Sequence, residues 1–279
     1  MRALILPEEL AKLDNVVLLD ARPAADYAAG HLAGARHASL ETQLSAASDP
    51  GFDPARGGRH PLPPLDRWLA QLGAWGIGPS THVVVYDDQL GANAAARAWW
   101  MLRAIGHENV QVLDGDWRDC HPERSEGSGR EGHAAAAPPA PIPRDPRDDR
   151  AWLWPTVDAA RVDELRMRDD WRIIDVRSAP RFRGETEPID PIAGHIPGAV
   201  NMPFADNLDG AHFKSPDALR KQYDTLLDGV TANRVVVHCG SGVTACHTLL
   251  ALEAAGIGGA SLYVGSWSEW CRNPLPREP

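Results

Sequence analysis

The chain has 279 residues, enough for two domains of ordinary size, and its 43% hydrophobic content supplies a sizeable core. A formal net charge of -10 and a pI of about 5.5 argue against general nucleic-acid binding, which needs a basic face, but leave room for a local cationic pocket. The four cysteines, Cys120, Cys239, Cys246 and Cys271, are too few and scattered for a disulfide framework and form no CxxC pair for zinc.

The first stretch, "LILPEELAKL" from Leu4, reads as an edge strand or a short helix. It has no long apolar leader, and no run approaches the roughly 20 apolar residues of a membrane span. A cytoplasmic protein with reduced thiols and no membrane or nucleic-acid partner is expected. An apolar run then ends in Asp20-x-Arg22 and leads to Gly30-His31-x-x-Gly34-Ala35. "HVVVYDDQLG" reads as a buried strand and turn, "AARAWWMLRAIG" as a helix, and "VQVLDGDW" as a closing strand.

After that strand a final helix is due, yet the text becomes rich in Pro, Gly, Ser, Ala and charge, as in a linker or flexible insertion. The apolar face left bare would be covered by a partner chain or by "AWLWP". His121 and His133 lie here at no metal-ligand spacing.

The pattern then returns. "WRIIDVR" carries Asp175-x-Arg177, and Gly194-His195-x-x-Gly198-Ala199 follows after a longer interval than in the first copy. "RVVVHCGSGVTACHTLLALEAAG" parallels the first copy's strand, turn and helix, and "ASLYVGSW" parallels its closing strand. The expected organisation is a domain over residues 1–118, a linker over 119–153 and a domain over 154–279. Strands alternating with helices predict an α/β fold, each copy a mostly parallel sheet flanked by helices, with any site beyond the carboxyl ends of the strands.

Cys239 stands in such a place. Three valines lead into it, "GSG" turns the chain, and Thr244 to Gly256 reads as a helix closed by glycine. Loop N–H groups and the helix start would favour a thiolate or a persulfide on its sulfur. Gly240 and Gly242 would let those groups converge, and Ser241 and Thr244 offer hydroxyls. The His-Cys-x5-Arg pattern of cysteine phosphatases fails, because Ala245 occupies the arginine position. Cys246 reads as a small residue on the packed face of the helix, with a resolving thiol as the alternative. In the first copy Asp87 replaces Cys239 and reads as a loop carboxylate or N-cap, so that copy serves as a structural partner.

With these residues the chain resembles the tandem-domain rhodaneses, or sulfurtransferases, over nearly its whole length outside the linker. The resemblance implies two tandem rhodanese-like domains, the second catalytic through Cys239, with Gly240, Gly242, Val243 and Thr244 lining the substrate loop. "CGSGVT" resembles the loop of 3-mercaptopyruvate sulfurtransferases, whereas thiosulfate sulfurtransferases commonly carry the cationic Cys-Arg-Lys-Gly-Val-Thr. A compact dianion gains from cations at the loop, and a neutral loop with a hydroxyl suits a donor whose C–S bond must break with proton transfer. "RFRGETEP" matches the family's donor-binding arginine at Arg181, with Arg183 as its neighbour. The family's second arginine, in an "EPRDG"-like stretch, is missing; Ile189 and Asp190 stand there. "RHPLP" resembles the family's "HMLP", which makes His60 a proton relay to Ser241, Arg59 an added positive charge, and Asp49, with Asp53 next, the acidic partner. His31 and His195, repeated in both copies, read as structural, and Trp267 as core packing or pocket lining. No metal or organic cofactor is implied. The resemblance implies sulfur transfer from 3-mercaptopyruvate to cyanide, a small thiol or thioredoxin through a Cys239 persulfide. The alternatives are a thiosulfate or dual-donor enzyme and a non-catalytic persulfide carrier.

Overall fold

The computed structural model describes residues 2–120 and 152–279, so His121, His133 and nearly all of the expected linker lie outside the described residues. The chain forms two compact units, Met1–Leu44 with Pro63–Leu153 and Ser45–Leu62 with Trp154–Pro279. Residues 45–62, which lie inside the first sequence copy, therefore belong with the second unit.

The first unit contains β1 (Leu4–Ile5), α1 (Pro7–Leu10), β2 (Val16–Asp20), α2 (Ala24–Ala29), β3 (Arg36–His37), α3 (Leu65–Ala74), β4 (His82–Tyr86), α4 (Ala95–Arg103) and β5 (Val110–Leu113). Its opening stretch makes both readings true, a two-residue strand and then a turn of helix with Pro7 at its first position. The sheet runs β1-β5-β4-β2-β3, every pair parallel. Val83, Val84 and Val85 are wholly buried, as a strand covered on both faces requires. Trp152 and Leu153 return to this unit: Trp152 lies 5.9 Å from Trp100 and the Leu153 N–H donates to Ala104 O at 2.6 Å. Of "AWLWP", Trp152 thus packs against α4 and Leu153 ties to the residue that follows it.

The second unit contains β6 (Thr156–Val157), α5 (Ala159–Leu165), β7 (Arg172–Asp175), α6 (Ala179–Phe182), β8 (Val200–Asn201), β9 (Leu208–Asp209), β10 (His212–Phe213), α7 (Pro216–Leu227), β11 (Val235–His238), α8 (Ala245–Ala254), β12 (Ser261–Tyr263) and α9 (Ser266–Trp270). Its five-stranded sheet, β6-β12-β11-β7-β8, repeats the first unit's order and is again parallel throughout, while β9–β10 and the bridge between His195 and Glu278 are antiparallel. Gly256, at φ +70, ends α8, with the Ile257 N–H returning to Leu252 O at 2.8 Å.

The shared text marks make shared structure. Arg22 donates through Nε and Nη2 to Asp20 and through Nη2 to Gly30 O; Arg177 does the same to Asp175 and Gly194 O. His31 Nδ1–H donates to Tyr27 O while its ring stacks on Tyr27, and His195 Nδ1–H donates to Phe182 O while stacking on Phe182. Both histidines pin a Gly-His turn to the preceding helix. Among the described residues no helix is long and apolar enough to cross a membrane.

Candidate active site

β11 is buried at all four positions and delivers Cys239 to its carboxyl end, where the residue is 3% exposed. The turn that follows is built against the start of α9. The Cys239 N–H donates to Ser266 Oγ at 3.1 Å, and the Ser266 hydroxyl donates to Tyr263 O at 2.9 Å. The Trp267 and Ser268 N–H groups donate to the Cys239 and Gly240 carbonyls at 3.0 and 2.9 Å. Pinning the carbonyls to α9 fixes the plane of each peptide in the turn. Ser266 holds φ +53, a conformation uncommon for a residue with a Cβ and kept here by this mesh.

The two loop glycines serve different ends. Gly242 sits at φ +74, and a Cβ there would collide with Val264 O. Gly240 does not use the left-handed region, contrary to the expectation from sequence. Its bareness makes room: a Cβ would lie 3.2 Å from Arg59 Nη2 and 3.4 Å from Arg181 Nη2. Two guanidiniums therefore converge beside the residue next to Cys239. Val243 is buried, and Thr244 is the N-cap residue of α8 without a side-chain capping bond. Cys246 is fully buried with Sγ 3.4 Å from Gly242 O, on the packed side of α8.

Segment 45–62 supplies the rest. His60 Nδ1 and Ser241 Oγ share a hydrogen bond of 2.9 Å. The segment is anchored by the Gly57 N–H to Glu269 Oε1 at 2.8 Å and by Asn273 Nδ2 to Ala55 O at 3.0 Å. Asp49 lies half-buried on a turn closed by its own N–H to Ala46 O at 3.1 Å, and the Ala46 N–H donates to Pro61 O at 3.0 Å. That bond lays the Asp49 turn against the residue following His60. The Asp53 carboxylate, 51% exposed, accepts the Ala55 N–H and faces Arg56 instead.

The cations are held by carboxylates. Arg181 is clamped by Glu187, with Nη2 2.7 Å from Oε1 and Nε 3.2 Å from Oε2. Arg177 bridges Asp175 and Glu187 and lies over the Trp267 ring at 4.8 Å. Trp267 is fully buried, with Nε1–H donating to Ile192 O at 2.9 Å, and so packs the core. Arg183 instead pairs with Glu185 where both are more than half exposed, and it does not join the group over Gly240.

Asp190, given no role by the sequence, is the hub. Its side chain is fully buried against Arg59, against Arg272 Nη1 at 2.8 Å and 3.8 Å from Arg181 Nη2, while the neighbouring Ile189 is 56% exposed. Burial pushes the Asp190 carboxyl up, but hydrogen bonds from Arg59 and Arg272 outweigh it and hold the group below its ordinary range. Burial likewise opposes the Arg177 charge, and Asp175 and Glu187 overcome it. His238, fully buried, has its imidazole pushed below its ordinary value by burial, with Asp175 acting against. Among the described residues no cluster of histidine, cysteine and carboxylate is arranged to hold a metal ion.

A parallel sheet repeated twice, with a buried cysteine on the turn after the central strand of the second copy, defines a class. The rhodanese-like domain matches residues 6–121 and 158–273, and the chain belongs to the rhodanese family as a two-domain sulfurtransferase. It is 41% identical to a Pseudomonas aeruginosa protein named "Probable 3-mercaptopyruvate sulfurtransferase" over 256 residues, 89% of this chain and 84% of that one. It is 34% identical to the thiosulfate sulfurtransferase of Gallus gallus over 230 residues, 77% of this chain and 72% of that one. The solved structure of 3-mercaptopyruvate sulfurtransferase from Leishmania major superposes with a TM-score of 0.77 at 29% identity, covering 98% of this chain and 76% of the other.

Proposed function

We propose that the protein moves a sulfane sulfur from 3-mercaptopyruvate to a thiophilic acceptor through a persulfide on Cys239. The observation that carries this reading is the hydrogen bond between His60 and Ser241, one turn residue beyond the glycine that faces Arg59 and Arg181. The guanidiniums take the donor's carboxylate. The Cys239 thiolate attacks the donor sulfur, forming an S–S bond as the C–S bond breaks. The C–S electron pair passes to carbon as the pyruvate enolate, and the donor's thiol proton ends on that carbon. Ser241 and His60 relay the proton, with Asp49 as the acidic partner of the relay. The persulfide anion remains on Cys239, stabilised by the turn's N–H groups and the start of α8. Cyanide, a small thiol or thioredoxin then attacks the outer sulfur and returns the thiolate, completing a ping-pong cycle.

Two cations over Gly240 also favour a second donor, the dianion thiosulfate, from which sulfite leaves. The test is steady-state transfer to cyanide from each donor in parallel, with Cys239→Ser as control. A preference for 3-mercaptopyruvate supports the first reading and a preference for thiosulfate the second. Full activity in Cys239→Ser would sink both.

A further inference from the structure

Three guanidiniums, from Arg59, Arg181 and Arg272, surround one buried carboxylate in the second unit. They reach it from three separate stretches of chain: segment 45–62, α6 and the turn after α9. Two of the three also face Gly240, whose absent Cβ leaves them next to Cys239. With Glu187 on Arg181, three positive charges stand against two negative, leaving a surplus of one. Arg177 and Asp175 cancel beside them.

We infer that Asp190 is the specificity-determining counter-ion of the site, lowering the surplus charge over Gly240 so that a donor with one carboxylate is favoured over a dianion that the two cations alone would also attract. The inference rests on the sulfur-transfer reading but adds a residue that the relay and the nucleophile do not need. Asp190 acts through Arg59 and Arg181, so it is a positioning residue. Its carboxylate draws both guanidinium heads inward and neutralises part of their field. The side chain is wholly buried, so bulk salt screens this effect far less than it would a surface pair. Ile189, exposed beside it, adds no compensating charge.

Removing the negative charge while keeping the shape should re-weight the donors. In Asp190→Asn the surplus rises by one, and the ratio of kcat/KM for thiosulfate to that for 3-mercaptopyruvate should rise about tenfold or more, chiefly through KM for thiosulfate. Asp190→Glu, which keeps the charge, should restore most of the original ratio. Arg272→Gln, which leaves Asp190 in place and removes a cation, should move the ratio the opposite way. That variant decides the matter if Asp190→Asn fails to fold. Persulfide loading of Cys239, read as the mass of one added sulfur, is recorded for every variant. Loading with an unchanged ratio, or an equal loss for both donors, would overturn the assignment alone. Absence of loading from either donor in the unmodified protein would overturn the sulfur-transfer reading and this assignment together.

Discussion

The turn after β4 and the turn after β11 occupy the same place in two copies of one sheet, and they are filled differently. In the first unit the Asp87 carboxylate collects five N–H groups, those of Gln89 and Gly91 on Oδ1 and those of Asn93, Ala94 and Ala95 on Oδ2. In the second, the aligned residue is Cys239, whose own side chain brings no anion unless it is a thiolate or carries sulfur. The first copy's turn is an anion cradle, and the corresponding turn of the second copy carries the cysteine in place of the carboxylate. The first copy shows that such a turn can present its amides to one anionic group.

That comparison can be broken in four ways. The largest effect is expected from Cys239→Asp, which writes the first copy's residue into the second. Sulfur transfer from both donors should fall to the level of an assay without enzyme, while a thermal melt shows the second unit still folded, because a carboxylate can use the cradle. Collapse of the fold would mean that the two turns are not equivalent.

His60→Ala tests what the first copy's turn lacks besides the thiol. It should cost roughly 10²–10⁴-fold in kcat with 3-mercaptopyruvate, where a proton must move, and far less with thiosulfate, where sulfite leaves without one. Equal losses for both donors would remove the relay.

The loop glycines give the next contrast. Gly242→Ala forces a side chain into φ +74 against Val264 O and should lower stability by on the order of 2–3 kcal/mol in urea denaturation. Gly240→Ala meets guanidinium nitrogens of Arg59 and Arg181 at 3.2–3.5 Å rather than backbone, so stability should hold while KM for the donor rises roughly tenfold.

The smallest effect concerns acid. Burial raises the Asp175 and Asp190 carboxyls, yet their cationic partners bring both below the ordinary value of 3.8. A carboxyl with a lowered folded value contributes its stability in full above the unfolded value and loses it as pH falls through the folded one. The second unit's urea midpoint should therefore drop below about pH 4, and Asp190→Asn should flatten that drop.

Much of this was legible in the text. Valine runs fixed the central strands because only a sheet covered on both faces buries them continuously. The paired Asp-x-Arg and Gly-His marks were visible as repeats, and they hold both copies by the same bonds. Arg181 and His60 were reached through resemblance, and the structure brings both to the Cys239 turn. In the sequence Asp190 stands only as the neighbour of an absent arginine, since its partners come from stretches near residues 59 and 272 that no local pattern connects. Gly240 reads in the sequence as a backbone device, because nothing in "CGSG" reveals that two guanidiniums need its empty side. Ser266, which holds the turn's amide, carries no local signal, and Glu187, which clamps Arg181, sits inside "RFRGETEP" without a role of its own in the sequence.

The recruitment of residues 45–62 into the second unit also bears on how the chain can be made and divided. The bond from Ala55 to Asn273 spans 218 positions, and that from His60 to Ser241 spans 181. Contacts so distant close late, after the entropy of a very large loop has been overcome, so the second unit should be the slower to mature. The duplication in the text is accordingly not a duplication of separable modules. A fragment beginning at Trp154 would keep the nucleophile and Arg181 but would lack His60 and Arg59, and only a chain that includes residues 45–62 can assemble the whole site.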